Sequence, residues 1–349
     1  MVRNPEVALA MDWGGTWCRI AVINRSGDIL WQSRVRNGPG AGQRELLDNG
    51  FSLVGEAEEW CGPSSTVAGL GIAIAGPIDA DTGTLLEPPN LPALDGVSLL
   101  EEWQGRLSFP VYAGNDANLA ALGEFEYGAG LEARQRGLPC TCLVYVTVST
   151  GIGGGVVERG RMILGSRGMA TEVGHMVLDR SPNAPLCQCG RRGCLEALAS
   201  GTSIARIARY RVASTAPEVS ARALSDSAPG EVTGLSVLAG LEVSQITAEQ
   251  VFEAARDGDA LASEILDEVL DSLSTGLSSL LHLYNPDLLV MGGGVSFGVV
   301  KMGLLPRIEE QVKLRAMSDG HRDFRLVSSR LGDTPGMMGA ASLVWTGAG

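Results

Sequence analysis

Lysine is almost missing from this chain. Of 349 residues only Lys301 and Lys313 are lysines, and the remaining cations are arginines. A phosphate-binding loop of the Gly-Lys-Ser/Thr kind needs its lysine after the glycines, and neither lysine stands in such a setting. A nucleotide site, if there is one, must be built differently. Long apolar runs are absent too: no stretch of about 18 apolar residues occurs, so no bilayer span is expected. The apolar run before Asp12 is too short for a signal peptide, and a cytoplasmic protein is expected. Basic charge is scarce, with a formal net charge of −13. That argues against a nucleic-acid surface, which needs a basic face, and the acidity is read as a contribution to solubility. What remains is ordinary globular composition, 45% hydrophobic and 19% charged, in a chain long enough for two domains or lobes.

The densest stretch of chemistry runs from Thr171 to Glu196. It holds His175, Cys187, Cys189 and Cys194 between two carboxylates, Glu172 and Glu196. Three thiolates and an imidazole make a closed tetrahedral zinc set, which suits a structural site. Gly190 and Gly193 let the backbone turn back toward the Cys187/Cys189 pair. Three unrelated thiols are the plain alternative. A disulfide is disfavoured because nothing marks the chain for export.

Taken in order, Val7 to Trp13 reads as a buried strand ending at Asp12, followed by Gly14-Gly15-Thr16 and a returning strand, Arg19 to Ile23. Such a loop offers backbone N–H groups and a hydroxyl to an anion, and Asp12 suits Mg²⁺, directly or through water. A plain hairpin would read the same. Ile29 to Val35 is a third strand, Arg44 to Trp60 a helix, and Val67 to Ala75 a strand ending at Gly76-Pro77. Asn90 sits in a proline-rich loop that reads as a surface turn. A short strand from Val111 gives way at Gly114. Asn115 or Asp116 can cap the helix that follows; a carboxylate there can also accept a proton from a substrate hydroxyl, with Asn115 and Asn118 adding amide contacts to a polyol.

Leu143 to Val148, then Ser149-Thr150-Gly151-Ile152-Gly153-Gly154-Gly155 and a returning strand, repeat the Asp12 pattern. Two such hairpins in two halves suggest a duplicated lobe with a nucleotide between the copies. Arg206 to Gln245 reads as a helical insert with a loop. Leu261, Ile265, Val269, Leu273 and Leu277 mark a long amphipathic helix ending before Asn285. Leu288 to Met291 is a strand entering Gly292-Gly293-Gly294, where a flat base can approach the backbone, and Pro335 to Trp345 is a closing helix.

These pieces together resemble the ROK family of sugar kinases and repressors, within the actin-like, ribonuclease-H-like ATPases. The resemblance rests on D-W-G-G-T-W-C-R from Asp12, A-G-P from Ala75, P-P-N-L-P from Pro88, G-N-D-A-N from Gly114, S-T-G-I-G-G-G from Ser149, E-V-G-H from Glu172, C-Q-C-G-R-R-G-C-L-E from Cys187 and M-G-G-G from Met291. It implies an α/β fold of two lobes with the nucleotide and sugar in the cleft. The expected small lobe is 1–115, joined by the C-terminal helix 335–349; the large lobe is 116–334, with a zinc loop at 175–194 and the helical insert at 206–245. It further implies that Asp116 is the general base for phosphoryl transfer from ATP to a sugar hydroxyl. Gly76, Asn90, Asn115, Asp116, Glu172, His175 and Glu196 would form the sugar site. Asp12, Gly14, Gly15, Thr16, Thr150 and Gly151 would serve the phosphates and Mg²⁺, and Gly292, Gly293 and Gly294 the adenosine. Zinc on His175, Cys187, Cys189 and Cys194 would hold Glu172 and Glu196 in place.

The implied activity is foremost that of a glucokinase, with fructose, N-acetylglucosamine, N-acetylmannosamine and allose as other sugars of the family and polyphosphate as another donor. A homodimer or homotetramer is expected. Two readings compete: a sugar-responsive repressor, for which the eleven residues before Asp12 are too few to hold a DNA-binding domain, and a non-catalytic sugar sensor, against which Asp116 argues. Trp17 departs from the family pattern, which often has lysine there, and the insert is longer than in compact relatives.

Overall fold

The structure is a computed structural model and describes residues 5–223 and 236–347. Its first half is β1 (Glu6–Trp13), β2 (Trp17–Asn24), β3 (Ile29–Arg36), α1 (Gln43–Cys61), β4 (Thr66–Ile74), α2 (Leu99–Gln104) and β5 (Val111–Asn115). Two helices follow, α3 (Asp116–Glu126) and α4 (Ala129–Gln135). The second half is β6 (Cys142–Val148), β7 (Ile152–Glu158), β8 (Arg161–Met162), α5 (Leu195–Ala199), α6 (Gly201–Ala223), α7 (Ala248–Arg256), α8 (Ala260–Tyr284), β9 (Leu288–Gly292), α9 (Gly294–Lys301), α10 (Leu305–Arg315), β10 (Arg325–Ser328) and α11 (Pro335–Thr346). The insert expected at 206–245 begins within α6 and ends in two short 3₁₀ turns, Val237–Gly240 and Val243–Gln245; its stretch 224–235 lies outside the described residues.

The duplication suggested by the two hairpins extends to whole sheets. The orders are β3-β2-β1-β4-β5 and β10-β9-β6-β7-β8, and read in matching direction they are the same. In each, an antiparallel three-strand meander is extended by two parallel strands: β4 and β5 beside β1, β9 and β10 beside β6. Central β1 is apolar on both faces, as a strand covered from both sides must be. Val7, Leu9, Met11 and Trp13 enter the core shared with α1, while Ala8 and Ala10 join the core between the two halves.

That shared core is where the halves interlock. Helix α3 leaves β5 and packs on β6 and β7 of the other sheet, and α11, following β10, packs back on β1 and β4. The two helices also cross each other so closely that a methyl on Gly339 would lie 1.7 Å from the Leu119 carbonyl oxygen. Alanine at Gly339 therefore has no room. A third core lies beyond the second sheet, built on Val144, Val146 and Val148 of β6 and on the long apolar face of α8. Helix α8 ends where the sequence pattern places its stop, at Asn285 in the left-handed region.

Candidate active site

The first turn of α3 is set by Asn115. Its Oδ1 accepts from the backbone N–H of Ala117 and Asn118, and its Nδ2 donates to the Gly76 carbonyl at 3.1 Å. Asn115 is thus the N-cap, and Asp116 does not fill that role. The cap's acceptor is committed, leaving one Nδ2 hydrogen for a ligand. Asn118, expected to face a polyol, is 4% exposed and accepts from Thr171 Oγ1, so it braces the chain ahead of Glu172. Asp116 carries no cap. Burial, then repulsion from Asp12 and Glu172, raises its pKa to about 7, although the Ala117 N–H at 2.8 Å favours the charged form. A carboxyl poised there suits general-base work at neutral pH.

Asp12 ends β1 next to this helix. Arg19, opposite it on β2, pairs with Oδ2 and reaches Asp333 at 3.5 Å. Burial raises the Asp12 pKa, and Arg19 opposes the rise. The Gly14-Gly15-Thr16 loop is held from outside: Asn37, 5% exposed, donates through Nδ2 to the Gly14 carbonyl at 2.9 Å, and its own N–H donates to the Thr16 carbonyl. Asn90 lies exposed in a turn, as expected, but not in an isolated one. Its carbonyl oxygen packs so close to Gly15 that a methyl there would be 2.8 Å away, which brings the proline-rich loop against the phosphate-type hairpin.

The second hairpin is anchored in the same manner by other residues. Thr202 Oγ1 donates to the Thr150 carbonyl at 2.8 Å and Gly201 N–H to the Ser149 carbonyl at 2.7 Å. A cavity of about 710 Å³ opens beside it, lined among others by Thr150, Gly294, Arg209, Phe252, Phe297 and Lys301. Gly293 has φ +87, and a methyl there would lie 2.5 Å from the Val148 carbonyl oxygen, so the glycine triplet abuts this hairpin. Gly294 opens α9 with free space before it. Asn37, Thr202 and the cavity residues Arg209, Phe252, Phe297 and Lys301 carry no motif in the sequence; the fold brings them in.

His175, Cys187, Cys189 and Cys194 form the one cluster of this kind among the described residues, with donor atoms all within 4.8 Å of one another. Cys189 Sγ and Cys194 Sγ are 3.7 Å apart, and Cys187 Sγ is 3.6 Å from His175 Nδ1. Tetrahedral zinc with ordinary bond lengths would set S···S near about 3.8 Å and S···N near about 3.5 Å. The donor set therefore fits zinc, and the cysteines are free thiols rather than a disulfide. Hydrogen bonds from Arg191 and the adjoining thiols outweigh burial and lower the Cys189 pKa to about 6, which favours the thiolate a metal needs. The turn depends on Gly193, with φ +74 and the Asp179 carbonyl oxygen 1.8 Å from where a Cβ would sit.

Glu196, in the first turn of α5, joins this cluster to the second hairpin. Its Oε2 accepts from Ile152 N–H at 2.9 Å, and Cys187 Sγ lies 3.5 Å from Oε1. Burial raises the Glu172 pKa, His175 lowers it and Glu196 raises it, so the three side chains share one electrostatic environment. The arrangement gathers three carboxylates, Asp116, Glu172 and Glu196, and an imidazole near the two glycine-containing hairpins.

The model of the ROK family matches residues 8–346. The chain belongs to the ROK family. A glucokinase of Thermotoga maritima is 33% identical to this ROK protein over 341 residues, 96% of each chain. A solved ROK family glucokinase from Streptomyces griseus, in complex with glucose and AMPPNP, has a TM-score of 0.73 at 30% identity, covering 97% of this chain and 99% of that one. A ROK family transcriptional regulator, a homologue of the E. coli MLC protein, has a TM-score of 0.79 at 25% identity, covering 98% of this chain and 78% of the regulator. The fold of this ROK chain is the actin-like, ribonuclease-H-like ATPase fold with two lobes.

Proposed function

We propose that this protein is an ATP-dependent hexokinase that converts glucose to glucose 6-phosphate. The observation that carries the reading is Asp116, a half-buried carboxyl with a pKa near 7 and no capping duty, in the field of Asp12 and Glu172. It takes the proton of the sugar hydroxyl as that oxygen attacks the γ-phosphoryl group. The backbone of Gly14 to Thr16 and of Thr150 and Gly151 holds the phosphates from two sides. The cavity beside Gly292 to Gly294 takes the nucleoside. Asn90, Glu172, Glu196 and His175, through the Nε2 that its metal-facing Nδ1 leaves over, hold the sugar hydroxyls, with Gly76 and Asn115 lining the site. A missing hydroxyl would leave one of these carboxylates unpaired, the physical basis of selectivity.

Asp12 keeps Oδ1 clear of Arg19 and fits a hydrated Mg²⁺, which supplies charge neutralisation on the phosphates. His175, Cys187, Cys189 and Cys194 fit a structural zinc that fixes the turn between Glu172 and Glu196. We assign 1–115 with 335–349 to a small lobe and 116–334 to a large one. A cytoplasmic homodimer or homotetramer feeding sugar breakdown, with no nucleic-acid partner, completes the reading; no helix among the described residues is long and apolar enough to cross a membrane.

The likeness to a ROK transcriptional regulator favours a second reading, a sugar-responsive regulator. The deciding experiment is ADP release from Mg-ATP with glucose, mannose, fructose, N-acetylglucosamine, N-acetylmannosamine and allose, beside a DNA-binding assay. Turnover with a clear preference for glucose is expected. DNA binding relieved by sugar, with no turnover, would overturn the kinase reading.

A further inference from the structure

Two loops from opposite halves meet where no sequence motif points. One follows β4 and carries Gly76; the other leads from β8 to Glu172. In the first, Asp79 is 8% exposed, and its Oδ1 accepts from Asp81 N–H, Thr82 N–H and Thr82 Oγ1 at 3.1 to 3.2 Å. Those bonds fix the carboxylate and leave Oδ2 facing the second loop. Arg167 Nε donates to that oxygen at 3.1 Å, and the Ala80 N–H donates to the Arg167 carbonyl at 3.3 Å. Next to them Gly168, at φ +83, approaches so closely that a methyl would lie 2.8 Å from Ala80 N and 2.9 Å from the Ile78 carbonyl oxygen. No side chain fits at position 168.

Before it reaches the site the second loop is also held by Ile163 N–H to the Val156 carbonyl at 2.9 Å and Ala170 N–H to the Leu164 carbonyl at 3.1 Å. Thr171, three residues after Gly168, has φ +65, a conformation that costs a β-branched residue energy. Its hydroxyl is tied to Asn118 Oδ1 at 2.8 Å and lies 3.3 Å from the Gly154 carbonyl, and Glu172 comes next. Glu172 thus stands between Thr171 and the 3₁₀ turn Val173–His175, whose His175 N–H donates to the Glu172 carbonyl at 3.0 Å, while the Asp79–Arg167 contact holds the same loop five residues earlier. An ion pair whose arginine is 60% exposed adds little to folding stability. Its effect is on where the loop stands.

We propose that Asp79 and Arg167 form a clasp across the two halves that positions Glu172 for the sugar, making them positioning residues for sugar affinity. The inference rests on the kinase reading for its substrate. The test is a double-mutant cycle of Asp79→Asn and Arg167→Ala, with Arg167→Lys as the conservative control. It reads KM for sugar, KM for ATP, kcat, sugar Kd by calorimetry without ATP, and Tm. Each single variant is expected to raise sugar KM and Kd by about 5- to 20-fold, with ATP KM and kcat within about 2-fold and Tm nearly unchanged. The double variant should be no worse than the singles, since both remove one interaction. Lysine, lacking the Nε–H, should not restore affinity. Unchanged sugar KM and Kd in folded variants, or additive losses in the cycle, would overturn the clasp. A wild type that binds sugar without turning it over would overturn the kinase reading alone, and calorimetry would then decide the clasp.

Discussion

The two five-stranded sheets share one plan, yet their connections differ. Between β3 and β4 the chain makes a single helix, α1, whereas between β8 and β9 it holds the Glu172 turn, the cysteine cluster and helices α5 to α8. The shared part repeats one geometry: in each half the sheet's middle strand, β1 or β6, turns through a glycine- and threonine-containing loop into the next. The unshared part makes the halves different, because the carboxylates and imidazole proposed for the sugar come mainly from the longer connection. In the proposed reading, symmetry serves the phosphates and asymmetry serves the sugar. The sheets also differ in what faces the interface. The first offers four alanines, Ala8, Ala10, Ala21 and Ala73, beside Ile23; the second offers Leu143, Tyr145, Val157, Leu288 and Val290. Small residues on one side let α11 lie close to its sheet, and larger ones on the other fill the space around α3.

Removing the proposed base tests the junction of the halves and should have the largest effect. Asp116→Asn is expected to lower kcat by about 10²- to 10⁴-fold while sugar Kd changes little. Near-normal turnover would remove the assignment. The same carboxyl predicts a pH profile. Its folded pKa, about 7, lies above its ordinary 3.8, so kcat/KM should rise with pH and level off above 7. The folded state holds this proton between those values, so the group lowers stability as pH rises through that window. Asp116→Asn should accordingly raise Tm at pH 8 more than at pH 4.

The longer connection is tested by its cysteines. Cys189→Ser should abolish zinc, measured by elemental analysis, and raise sugar KM by about 10- to 100-fold, with a smaller change for ATP. Fully active wild type free of metal would exclude a role for zinc. The smallest effect probes the repeated hairpins. Asn37→Ala and Thr202→Val each remove one anchor of a phosphate-type loop, and each should raise ATP KM by about 3- to 10-fold, given roughly 1 kcal/mol per lost hydrogen bond. An effect in one half alone would break the equivalence of the two loops.

Much of the site was legible because its residues travel in short motifs. Asp12 with Gly14 to Thr16, Asn115-Asp116 and the cysteine cluster each lie within a few positions, so spacing alone suggested strand ends, a helix start and a metal set. Asn37 and Thr202 escaped notice because each supports its loop through a backbone carbonyl, an interaction that leaves no pattern in the side chains around it. Asn90 read as a surface turn for the same reason: its packing on Gly15 depends on two distant segments. The helices α9 and α10 and the strand β10 also went unread, being short elements without strong periodicity.

By itself, the sequence determined most of the strands, the paired hairpins and the residue types at their ends, since burial patterns and glycine-rich turns are local properties. Only the tertiary structure decided that α3 and α11 exchange sheets, that Asn115 rather than Asp116 caps α3, and that Asp79 meets Arg167. Each of these depends on groups far apart in the chain coming within hydrogen-bonding or van der Waals distance. Such contacts are selected by packing of the whole molecule and cannot be read from any one stretch.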